Sequence, residues 1–157
     1  MAFGEGIHKK VLDFNQFNKA IEDMSARAYR RAVEATKRVA YRLQKKVVEA
    51  TPIDTGRAAG NWGLSVGKPI EGYDDPPTAG WSKSEVRART ISKARSMLKG
   101  YKEASQTIYL ANNVPYITIL EYGSNVHAAR AMLSTSMEEI VVELQQAGWL
   151  DTPDTED

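Results

Sequence analysis

The chain contains no cysteine, which excludes disulfides, thiolate metal sites and cysteine nucleophiles. That absence fits a protein made in a reducing cytoplasm. Histidine is scarce, with two residues, His8 and His127, and there is no nucleophile elbow, phosphate loop or zinc-binding pair. Asp54, Ser65 and His127 can be assembled on paper into a triad, but so can residues of most soluble chains. Asp74 and Asp75 stand together without a partner cluster and read as turn residues rather than metal ligands. The expectation is no enzyme, no metal site and no cofactor. No apolar run approaches the ~20 residues that cross a bilayer, and Met1–Lys10 lacks the apolar stretch of a secretory signal. No membrane partner is expected.

What is present is an ordinary soluble composition, 42% hydrophobic and 26% charged over 157 residues, long enough for one domain with a real core. Residues 1–150 form that domain, with 1–11 as a flexible arm and 151–157 as an acidic tail. The net charge of +1 conceals a strong asymmetry. Between Arg27 and Lys46 the only acid is Glu34, and between Lys83 and Lys102 the only acid is Glu85. After Arg130 there is no lysine or arginine, while Glu138, Glu139, Glu143 and the tail are acidic. A basic middle and an acidic end point to nucleic acid near one surface, or to complementary contacts between copies.

Phe14, Phe17, Ile21, Met24, Ala28, Ala32, Ala35, Val39, Leu43, Val47 and Ala50 recur in steps of three and four, which predicts one helix from end to end. Asp13 is placed as its N-cap, with Gln16 at N3, and Leu12 and Phe17 as a hydrophobic staple. Such a helix is about 55 Å long, roughly twice the span of a small domain. Part of it must overhang its own core and seek another subunit. Arg27, Arg31, Arg38, Arg42 and Lys45 share a sector of about 60° beside the apolar stripe. Either this is a solvated basic face or it meets polyphosphate or an acidic neighbour.

The helix must end near Ala50–Thr51, because Pro52 lacks an amide hydrogen and drives its predecessor out of the helical region. Asp54, Thr55 and Gly56 then make a compact turn. Trp62, Leu64 and Val66 alternate as a short strand, and Gly67–Gly80 is a long loop. Ser82–Glu85 carries a capping box before a helix through Val86, Ile91, Ala94, Met97, Leu98 and Tyr101, ending at Gly100. Gln106–Ala111 is a second strand. Tyr116–Gly123 is a short helix or a strand–helix junction, and Ser124–His127 a loop. A last helix from about Ala128 to Ala147 is expected to bury Leu133, Met137, Ile140, Leu144 and Ala147. The class is α+β: a long N-terminal amphipathic helix on a small, mostly antiparallel sheet, with an inserted helix and a C-terminal helix.

Two stretches resemble the signatures of one protein family. Thr51-Pro52-Ile53-Asp54-Thr55-Gly56-Arg57, followed by Asn61-Trp62, resembles its first motif. Val114-Pro115-Tyr116 through Glu121-Tyr122-Gly123-Ser124 resembles its second, which a C-terminal helix follows. The family is the neck or tail-completion proteins of long-tailed bacteriophages, small structural proteins of the head–tail joint. The resemblance implies a homo-oligomeric ring, of six or twelve copies, around the DNA channel. Its partners would be the head-closure or connector protein on one side and the tail terminator or tail tube on the other. Genomic DNA would occupy the lumen without sequence specificity, and the location would be the virion, or the host cytoplasm during assembly. Against shorter members, residues 68–102 look like an insertion. The rival expectation is a sequence-independent DNA-binding protein that uses the basic helix face.

Overall fold

A computed structural model describes residues 14–75 and 80–149. The arm, the Leu12 and Asp13 start signal, Pro76–Thr78 and the acidic tail lie outside the described residues. Helix α1 runs from Phe14 to Ala50, 37 residues without a glycine or proline. It stops where Thr51 turns its hydroxyl back to donate to the Val47 carbonyl at 2.6 Å and Pro52 denies the next amide. Gly56 follows at φ 82°, and the predicted corner contains a single helical turn, α2 (Arg57–Gly60), that the run of small residues did not announce.

Strand β1 (Gly63–Val66) pairs antiparallel with β2 (Ile108–Ala111), with Leu64 opposite Leu110 and Val66 opposite Ile108. Between them in sequence lies α3 (Lys83–Leu98), whose capping box is complete: Ser82 accepts from the Glu85 amide, and Glu85 accepts from the Ser82 amide at 2.6 Å. That backbone hydrogen bond is the main reason the Glu85 carboxyl sits below the usual range. α3 buries Val86, Thr90, Ala94 and Leu98. Met97, expected inside, is exposed, because the buried face follows four-residue steps and Met97 falls beside it. Residues 68–102 thus contribute a helix that packs on α1 and on the sheet.

Two apolar clusters form the core. Val47, Val48, Trp62 and Met132 make one, flanked by Leu43, Ile117 and Leu133. Leu64, Ala94 and Leu98 make the other, against Ala40 and Tyr41 of α1. α4 (Ile117–Tyr122) settles the ambiguous 116–123 segment as helix. α5 (Met132–Gln146) closes the fold, and it corrects two expectations. It begins four residues later than the alanine-rich stretch suggested, and its buried residues are Met132, Ser136 and Ile140. Met137 and Ala147 are exposed. Ser136 can face inward because its hydroxyl donates to the Met132 carbonyl at 2.6 Å.

Among the described residues the upper half of α1 has no such cover. Every residue from 14 to 32 is exposed, and Val33 is the first to be buried. Tyr29 already meets the Ala104 amide, so at 1.5 Å per residue the overhang, residues 14–28, extends about 22 Å beyond the body.

Candidate functional site

The two motif stretches, some sixty residues apart in sequence, meet at the end of the molecule where α1 stops. Pro52, Asp54, Thr55 and Gly56 form one side of a hollow of about 400 Å3, and Tyr116 and Leu120 form the other. The same Tyr116 and Leu120 wall a second hollow of about 410 Å3 with Ile119, His127, Ala128 and Arg130. Ile119, Tyr122 and Val126 are exposed around it, Tyr122 to 76%. This surface is concave and largely apolar.

Inside the corner, the motif residues hold one another. Trp62 Nε1 donates to Thr51 Oγ1 at 2.8 Å, with both residues buried. Gln44 of α1, fully buried, donates to the Trp62 carbonyl at 3.0 Å and to the Thr90 carbonyl at 3.4 Å. One amide therefore ties α1, the corner and α3 together. Thr55 Oγ1 accepts from the Arg57 amide, as the turn chemistry predicts. Arg57 pairs with Asp75, and Asn61 exchanges two 2.8 Å hydrogen bonds with the Asp74 backbone. Asn113 donates to the Ile70 and Gly72 carbonyls. The long loop is thus held by backbone and ion-pair contacts. Asp74 and Asp75 act in this tethering, as turn residues should.

The second motif works through Glu121. Its carboxylate, 7% exposed, accepts from the Leu133 amide at 2.9 Å, the Ser134 amide at 2.8 Å and the Ser134 hydroxyl at 2.6 Å. These are the second and third residues of α5, whose N-cap, Ala131, has no side-chain oxygen and a positive φ of 48°. A glutamate from the preceding helix therefore supplies the cap that the local sequence lacks. Burial opposes its ionisation, but the hydrogen bonds from Ser134 and the α5 amides outweigh that and hold the carboxyl below its usual range. Gly123, at φ 80° and ψ −176°, occupies backbone space nearly reserved for glycine. A Cβ there would lie 2.8 Å from both the His127 carbonyl oxygen and the Ala129 amide nitrogen. Pro115 is exposed and Tyr116 precedes α4 as its cap.

The basic stripe is divided. Arg42 pairs with Glu143 at 2.6 Å and Lys45 lies 3.9 Å from Glu49. Lys46, just beside the stripe, reaches Glu139 at 2.7 Å and Glu143 at 3.4 Å, and the bond to Glu139 holds its ammonium above the usual range. The acidic last helix is in this way engaged by its own chain, where complementary contacts between copies were one expectation. Arg27, Arg31 and Arg38 are exposed and make no ion pair with the described residues.

The paper triad does not assemble: Ser65 donates to the Lys68 carbonyl, and Asp54, Ser65 and His127 line three different hollows. Among the described residues no group of three or more histidines, aspartates or glutamates is placed to hold a metal ion, and no helix is long and apolar enough to cross a membrane. Sequence reasoning did not find Gln44, Asn61 or Asn113 as organising residues, nor the cap role of Glu121. Only the Ala131–Ser134 stretch, a helix start without a local capping side chain, hinted at the last. No family model, curated protein or solved structure matches the chain. The architecture itself is α+β, a long N-terminal helix with a two-stranded antiparallel sheet and further helices.

Proposed function

We propose that the chain is a structural virion protein of the bacteriophage head–tail junction, a neck or tail-completion component without enzymatic activity. Copies form a ring around the DNA channel and join the head connector to the tail. The observation that carries this reading is the overhang. Phe14, Phe17, Ile21 and Met24, between 44% and 76% exposed, form a stripe with nothing against it among the described residues. Lower on the helix the same side is covered by α5, through Leu43 against Met132 and through the Arg42 and Lys46 ion pairs. An apolar face that continues past its own cover is the signature of an interface. The overhang and the two-motif hollows lie at opposite ends of one rigid helix, so they cannot meet within a chain. Contacts between unlike ends are heterologous, and such contacts form a ring where the rotation between copies closes.

Light scattering on the purified chain, followed by cryo-EM of the assembly or of whole particles, tests the reading. The expected result is a closed oligomer of six or twelve at the head–tail joint. A protein that stays monomeric at working concentration and is missing from mature virions refutes it. The rival reading, a sequence-independent DNA-binding protein, draws support from the three arginines that make no ion pair among the described residues and is compatible with a ring whose lumen holds DNA.

A further inference from the structure

The sequence places the candidate DNA-facing surface on a stripe along α1 alone and assigns no such role to α3. The folded chain rearranges both. Where the end of α3 crosses α1, a shallow hollow of about 260 Å3 is lined by Lys37 and Arg38 from one helix and Arg95 and Lys99 from the other. It opens into a second hollow of about 280 Å3, bordered by Arg30 and Lys102, through the shared Glu34 and Lys37. Six cations therefore border one track, with Glu34 as its single acid, and Glu34 is occupied by Lys37 at 3.1 Å.

The track is held in shape. Arg95 donates to the Tyr41 hydroxyl at 2.8 Å and lies 4.9 Å from the centroid of the Tyr41 ring. The Tyr29 hydroxyl accepts from the Ala104 amide at 3.0 Å. Tyr101, buried, anchors the segment after α3. Two tyrosines of α1 thus fix the α3 end against it, and the guanidinium of Arg95 is positioned before any ligand arrives. A planar fork held in place loses less freedom on binding an anion than a free side chain does.

We propose that this α1–α3 track binds the phosphodiester backbone of duplex nucleic acid, independently of base sequence. It rests on the nucleic-acid part of the reading above and not on the ring. A row of cations from Arg30 to Arg38 covers about 12 Å of helix, long enough to meet several phosphates of one strand. The opposite possibility, an acidic protein surface, is disfavoured by what the chain itself offers. Of the three acids a second copy would present from its last helix, Glu139 and Glu143 are already taken by Lys46 and Arg42, which leaves Glu138 alone. Cations along a concave rim touch the strand backbone, which positions a protein but carries no sequence information.

The test is anisotropy of a fluorescein-labelled duplex of arbitrary sequence, titrated with the full chain at several salt concentrations. If about four phosphates are engaged, the affinity should fall by about 150-fold between 50 and 200 mM salt, from the counterion-release slope for B-DNA. The paired substitution Arg38→Glu with Lys99→Glu should reduce affinity by at least ~30-fold. Arg27→Glu with Arg31→Glu, which line neither hollow, should cost clearly less than that pair. All four positions are exposed, and circular dichroism checks that each variant folds. Equal losses from both pairs would overturn the track in favour of a diffuse basic surface. Polyglutamate that displaces the duplex at equal charge concentration would overturn it in favour of an acidic protein partner. Light scattering on the same samples separates the two proposals: a ring that binds no duplex ends this one and leaves the connector reading standing. A monomer that binds through the track does the reverse.

Discussion

Replacing Glu121 by glutamine removes one charge and almost no volume, so its effect isolates the remote cap of α5. The carboxylate accepts three hydrogen bonds from the first turn of that helix. Glutamine offers one oxygen and turns an NH2 group toward at least one of the same donors. Hydrogen bonds to a charged partner contribute about 1.5–3 kcal/mol, and losing an N-cap costs about 0.5–2 kcal/mol. These overlap rather than add, so the expected loss is about 2–3 kcal/mol, or roughly 5–10 °C in Tm for a chain of this size. The pH dependence is the sharper readout. Because the folded-state pKa lies below that of an unperturbed glutamate, the stabilisation is fully present above the unperturbed value. It disappears as the pH falls through the folded pKa and the carboxylate is protonated. Urea titrations of both proteins, followed by circular dichroism, should therefore show their widest gap at neutral pH and a narrowing gap below about pH 4.5. A gap of the same size in acid and at neutrality, or none at neutrality, would refute the charged-cap account.

Trp62→Phe deletes the hydrogen bond to Thr51 and leaves a buried hydroxyl with one partner. Chemical denaturation should show a loss of about 1–2 kcal/mol with an unchanged m-value. Gly123→Ala must place a Cβ against two backbone atoms at a φ of 80°. A loss of at least about 1–3 kcal/mol is expected from the backbone conformation alone, and the melting temperature checks it. Phe17→Asp combined with Ile21→Asp should dissolve the oligomer in light scattering. The fold content measured by circular dichroism should remain intact, since both positions are exposed. An unchanged oligomer would remove the overhang as an interface.

Much of this architecture is visible in the amino-acid order because its signals are local. The three-and-four spacing ends at Pro52, and the Ser82–Glu85 box starts α3 where it should. The alternation at Leu64 and Leu110 places two strands that pair in register. The errors arise where distant residues decide. Ala128–Ala131 has high helix propensity, yet α5 waits for Met132 because the Glu121 carboxylate caps the turn that begins there. The inward face of α5 is then set by packing of Met132 against Val47 and Val48, which turns Ser136 in and Met137 out. At the candidate sites, the motif residues could be marked in sequence, but not the Thr51–Trp62 clasp or the shared wall of Tyr116 and Leu120. The basic track was hidden for the same reason. Lys37 and Arg38 become neighbours of Arg95 and Lys99 only when α3 lies across α1.

Absence of glycine and proline from α1 has a mechanical consequence. Sharp bends in helices arise chiefly at such residues, and α1 has neither between Phe14 and Ala50. The helix therefore acts as a stiff lever, uncovered among the described residues over its first turns and clamped at the other end through Gln44, Thr51 and Trp62. Whatever takes hold of those first turns also aims the clamped end. A rotation there is passed along the rod toward the Tyr116–Leu120 wall, several nanometres away, against the hold of α3 and α5.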